Sequence, residues 1–72
     1  MTLRLNDMYH FRGGYLTPRS HYSDGKKGEQ YAIVQITEQL GTKYVTRYTT
    51  MTSREIKRQL GIEKAREKIE IV

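Results

Sequence analysis

Two runs dense in β-branched and aromatic residues, YAIVQIT from Tyr31 to Thr37 and YVTRYTT from Tyr44 to Thr50, stand on either side of Gly41-Thr42. Such side chains suit a pleated, half-buried surface, and a glycine in a short link between two such runs signals an antiparallel hairpin. Gly in the first central position suits a type II′ turn, and a longer loop with Gly41 left-handed satisfies the same residues, so the register stays open. Alternation along the second run sets Tyr44, Thr46, Tyr48 and Thr50 on one face and Val45, Arg47 and Thr49 on the other. One face of this strand therefore carries two aromatic rings in succession.

The hairpin has little to pack against. Leu, Ile, Val and Phe number 15 of 72 residues, and only Leu3, Leu5, Phe11 and Leu16 lie in residues 1–30. The core is expected in the second half of a single small domain spanning 1–72, because a chain of this length has no room for a second core. With no cysteine, disulfides, thiolate nucleophiles and Cys-based zinc sites contribute nothing. No apolar run approaches the roughly 20 residues of a membrane span, and none follows the start as a secretory signal would. The expectation is a soluble, intracellular, cytoplasmic protein.

A second hairpin is expected where Tyr9-His10-Phe11-Arg12 and Tyr15-Leu16-Thr17 flank Gly13-Gly14, two residues that accept the positive φ angles of a type I′ turn. Pro18 would end it. Thr17 to Gln30, TPRSHYSDGKKGEQ, has no aliphatic side chain and contains Pro18, Gly25 and Gly28, which predicts a long, exposed, flexible basic loop. Thr52 with Glu55 three residues later forms a capping box, and Met51 with Ile56 has the spacing of a hydrophobic staple, so a helix should begin at Ser53. Gly61 should end it in the left-handed region. Ile56 and Leu60 would face inward, leaving Arg54, Lys57 and Arg58 as an outward basic strip. Residues 63–72 fit helical spacing through Ile62, Ala65, Ile69 and Val72 and strand spacing through Ile69 and Ile71. A short helical turn followed by a final strand is the reading taken. The fold class is α+β: an antiparallel sheet from two hairpins with one short helix packed on it.

Ser53 to Ile62, SREIKRQLGI, resembles the first helix and turn of helix-turn-helix DNA-binding domains, which would imply a recognition helix after Gly61. Lys57 stands where that motif wants a small residue and Glu67 where the second helix wants an inward aliphatic. A capped helix packed on a sheet accounts for the same residues. Phe11-Arg12-Gly13-Gly14-Tyr15 resembles one unit of the Arg-Gly-Gly segments of RNA-binding proteins, which would make Arg12 a stacking cation; a tight turn explains it as well, and would set Arg12 beside Tyr15.

Tyr9, His10, Phe11, Tyr15, His21 and Tyr22 interleave with Arg12, Arg19, Lys26 and Lys27, supplying cations that replace phosphate counterions and rings on which bases stack. The net charge of +5 and pI of 9.7 suit the same partner. Asp7 with His10 and His21 with Asp24 could in principle complete a tetrahedral zinc site for a metal-dependent enzyme, but no recognised ligand spacing joins them. No triad, paired carboxylates or phosphate-binding glycine loop is present, which points away from an enzyme, a cofactor and a small-molecule substrate. The expected function is non-enzymatic regulation of transcription or replication by binding nucleic acid or an assembly that handles it. Arg12, Arg19, Lys26, Lys27, Lys43, Arg47, Arg54, Lys57 and Arg58 would supply charge, and Tyr15, Tyr22 and Tyr48 stacking area. The alternative is an inhibitor or adaptor docking on an acidic protein surface of a larger enzyme such as RNA polymerase.

Overall fold

A computed structural model describes all 72 residues. Strands β1 (Thr2–Leu3), β2 (Tyr9–Phe11), β3 (Gly14–Pro18), β4 (Ser23–Asp24), β5 (Gln30–Leu40) and β6 (Lys43–Met51) precede helix α1 (Ser53–Leu60) and a last strand, β7 (Glu70–Ile71). The β5–β6 hairpin has the expected place. It pairs from Ala32 with Met51 to Leu40 with Lys43, and of its two turn residues only Gly41 has a positive φ, 66°, as a type II′ turn demands.

The first hairpin turns one residue earlier than its two glycines led us to expect. Phe11 faces Gly14, so Arg12 and Gly13 make the turn and only Gly13, at φ 98°, is left-handed. Gly14 belongs to the strand because β3 also pairs with β5, where a Cβ on Gly14 would lie 2.0 Å from the Thr37 carbonyl oxygen. One glycine bends the chain and the other lets two strands close. Arg12 consequently sits at the hairpin tip, and the cross-strand neighbour of Tyr15 is His10, with ring centroids 5.7 Å apart.

Strands β2, β3, β5 and β6 lie side by side in that order, and β4 continues the β3 side of β5 by pairing with Gln30 and Tyr31. The segment expected as one flexible loop is largely built into the fold. Thr17 and Pro18 are buried in β3, residues 23–24 form β4, Lys26–Gly28 make one 3₁₀ turn, and the Tyr31 ring packs on Gly25.

Alternation along β5 buries Ala32, Val34 and Ile36 on one face, continued by Leu16 in β3 and Met51 in β6. Ile56 of α1 covers this layer together with Leu3 and Ile71 from a small parallel sheet in which β1 pairs with β7, and with Ile69 just before β7. The core thus draws mainly on the second half, as expected, yet Leu3 and Leu16 are among its fully buried members. No strand was expected at residues 2–3, because two residues carry no periodicity to read. The C-terminal segment makes a turn in which the Ala65 amide bonds the Ile62 carbonyl, and then β7. No second helix follows Gly61, so the helix-turn-helix resemblance ends at the capped helix.

The caps of α1 are as the spacing predicts. The Thr52 hydroxyl accepts from the Glu55 amide, the Glu55 carboxylate accepts from the Thr52 amide, and Gly61 takes φ 76°. Only two turns long, this helix depends on such local bonds. Thr52→Ala is therefore expected to lower stability by about 0.5–2 kcal/mol, read as a lower urea midpoint at unchanged slope.

Candidate functional site

The helix and the β1–β7 pair cover one face of the sheet and leave the other open. Register fixes which side chains this face carries: His10 on β2, Tyr15 and Thr17 on β3, Ile33, Gln35, Thr37 and Gln39 on β5, and Tyr44, Thr46, Tyr48 and Thr50 on β6, with Thr17 and Thr37 buried beneath their neighbours. None of these positions carries a carboxylate. Tyr44 and Tyr48 are 66% and 63% exposed, which is unusual for rings on a paired strand. Between them and the His10–Tyr15 pair, the Thr37 and Thr46 hydroxyls bond each other at 2.9 Å and use up polar capacity that would otherwise need water. The result is a surface without carboxylates, with aromatic rings along both sides, threonine and glutamine between, and a shallow recess lined by His10, Tyr15, Thr37, Gln39, Tyr44 and Thr46.

Cations stand around this surface and not on it. Arg12 and Lys43 are at the end where both hairpins turn, since the Gln39 amide bonds the Gly13 carbonyl there. Arg19, whose amide bonds the Ile33 carbonyl, extends β3 at the other end, and Lys26 and Lys27 lie in the 3₁₀ turn before β5. Arg47 projects to the helix side, where its guanidinium is 4.0 Å from Glu38.

Three expectations need correction. Tyr22 is not free to stack on a ligand: its hydroxyl donates to the Ile69 carbonyl at 2.6 Å, it packs against the core, and the Lys68 ammonium lies 4.6 Å from the ring centroid. Burial raises its pKa, Ser53 opposes that through a hydrogen bond, and Glu70 adds to it by charge. Tyr9 and Phe11 also pack against the core. The helix cations divide between two recesses, and Lys57 is half-buried. Arg54 and Lys57 line an open recess with Arg66, Lys68 and the carboxylates Asp24, Glu29 and Glu63, Arg58 lines another with Arg47 and Glu55, and the Lys57 ammonium donates to the Ala65 carbonyl.

Of the expected site residues, Tyr15 and Tyr48 share the open face, with Arg12, Arg19 and Lys43 at its ends; Lys26 and Lys27 lie near one end; Arg47, Arg54, Lys57 and Arg58 are on the other side of the sheet. Tyr44 and His10 complete the face, and Tyr44 was legible from strand alternation with Tyr48. No three His, Cys, Asp or Glu residues come together as a metal site would require. The Ser20 hydroxyl donates to the His21 carbonyl. No helix is long and apolar enough to cross a membrane. Comparison with protein-family models, curated proteins and solved structures finds no match to this chain.

Proposed function

We propose that this protein binds single-stranded nucleic acid on the open face of its sheet, as a small non-catalytic regulator of transcription or replication. The observation that carries this reading is the pair of exposed rings, Tyr44 and Tyr48, opposite His10 and Tyr15 on a face without carboxylates. Splayed bases stack on sheet-borne aromatics of this kind, and the neighbouring cations take the place of counterions along the backbone. Duplex grooves call for a projecting helix or ribbon, whereas the broad face of a sheet suits unpaired bases.

Each stacked base is worth about 1–3 kcal/mol, so Tyr44→Ala and Tyr48→Ala should each weaken binding of a labelled single-stranded oligonucleotide about 5- to 150-fold. Fluorescence anisotropy reads the loss directly. Affinity should also fall with salt, log K against log salt dropping by about 0.7 per phosphate contacted. Unchanged affinity in both tyrosine variants overturns the reading.

A second reading, docking on an acidic surface of a larger nucleic-acid-handling enzyme such as RNA polymerase, draws support from Arg54, Lys57, Arg66 and Lys68, which outnumber Asp24, Glu29 and Glu63 in the recess they line together. A pull-down run with and without nuclease separates the two: a protein retained after nuclease favours docking, and nucleic acid alone favours the sheet face.

A further inference from the structure

Strand β6 closes the sheet with its outer edge bare. Leu40 and Lys43 flank a two-residue turn and so exchange backbone hydrogen bonds, and the same phase runs through Glu38 with Val45, Ile36 with Arg47 and Val34 with Thr49. The other side of β5 agrees, since alternate residues there, Gln39 and Ile33, bond to Gly13 and Arg19. The backbone amides and carbonyls of Tyr44, Thr46, Tyr48 and Thr50 therefore point away from the sheet. Lys43 to Tyr48 are exposed on both faces, and five of the eight large apolar residues left exposed, Ile33, Leu40, Tyr44, Val45 and Tyr48, lie on β5 and β6. An unbroken edge with no proline or bulge is a template for another strand.

The sequence of that edge says which strand. On the open face β6 and its turn read Thr42, Tyr44, Thr46, Tyr48, Thr50, a palindrome centred on Thr46. Antiparallel pairing of two copies about Thr46 sets each Tyr44 opposite the other copy's Tyr48 and Thr46 opposite Thr46, and aromatic cross-strand pairs are among the stabilising ones. On the helix side it sets Arg47 against Val45 and Lys43 against Thr49. Centring on Arg47 instead would put the two guanidiniums directly opposite each other, so the positive charge selects between registers. We infer that the protein forms a two-fold symmetric dimer through β6, centred on Thr46, which joins the two open faces into one continuous sheet.

This inference does not rest on nucleic-acid binding, and the two respond oppositely to salt. Screening the +5 charge of each copy strengthens the dimer and weakens phosphate contact. Sedimentation equilibrium of the unmodified protein is expected to give twice the 8.5 kDa chain mass as concentration rises. The chain has no cysteine, so one introduced thiol reports the register. Facing Cα atoms of a hydrogen-bonded pair are about 5.5 Å apart, within disulfide reach. Mild oxidation should cross-link Thr46→Cys into dimers and leave Thr50→Cys, which faces Thr42, as single chains. Monomer mass up to millimolar concentration overturns the inference, as does equal cross-linking at 46 and 50. Should Thr46→Cys fail to fold, the mass of the unmodified protein decides.

Discussion

Gly14→Ala is expected to abolish stable folding. The added Cβ would lie 2.0 Å from the Thr37 carbonyl oxygen, 3.0 Å from its carbon and 3.1 Å from the Glu38 Cα. All three atoms are backbone, so no rotamer change relieves the overlap and β3 must move off β5. That movement disrupts pairing between Gly14 and Pro18 on one strand and Val34 and Glu38 on the other, and withdraws the buried Leu16 from the core. Overpacking in well-filled sites usually costs about 1–3 kcal/mol, and a clash between two main chains belongs above that range. A domain of this size has only about 4–11 kcal/mol of total stability. Far-ultraviolet circular dichroism across a urea titration reads the result: the variant should show little or no folded baseline, and a midpoint close to that of the unmodified protein would refute the packing argument. Gly13→Ala is the matched control. Its Cβ meets nothing within 4 Å, but φ of 98° is unfavourable for alanine, so a loss of about 1–2 kcal/mol is expected with the fold retained.

Ile69→Ala should cost about 2–5 kcal/mol, the range for truncating a fully buried aliphatic side chain. Ile69 is completely buried, its amide donates to the Ser53 hydroxyl at 2.7 Å, and its carbonyl accepts from Tyr22. It ties the helix start, the segment after β3 and the C-terminal strand at one place, so the cavity would loosen all three. Urea denaturation gives the size of the loss. Hydrogen exchange gives its location, with the β1 and β7 amides and the nearby Leu5 amide, which bonds the Val72 carbonyl, expected to lose protection first. A loss under about 1 kcal/mol would mean that the site collapses around the smaller side chain without leaving a cavity.

The β5–β6 hairpin and α1 were legible in the sequence because their determinants are local: alternation with a glycine between two runs, and Thr52 with Glu55 three residues on. The turn of the first hairpin was not, because the choice between Gly13 and Gly14 is made by Thr37, a residue more than twenty positions away. Residues 17–30 look like loop by composition, yet Thr17, Pro18 and Tyr22 are held by β5 and Ile69. At the candidate site, strand alternation was enough to place Tyr44 and Tyr48 together. It took the pairing of β2 with β3 to bring His10 beside Tyr15, and the packing of the C-terminal segment to withdraw Tyr22.

The pairing of β1 with β7 also makes the fold depend on a contact between the two ends of the chain. Thr2 meets Glu70, and the terminal amine meets Glu67 at 3.3 Å, so these contacts enclose almost the whole chain in one loop. Closing so long a loop spends chain entropy before any contact repays it, and topologies rich in such distant pairings fold slowly. During synthesis the first strand emerges long before its partner exists. The β5–β6 hairpin and helix need only neighbouring residues, whereas the pairing of Leu3 with Ile71 waits until residue 71 has left the ribosome.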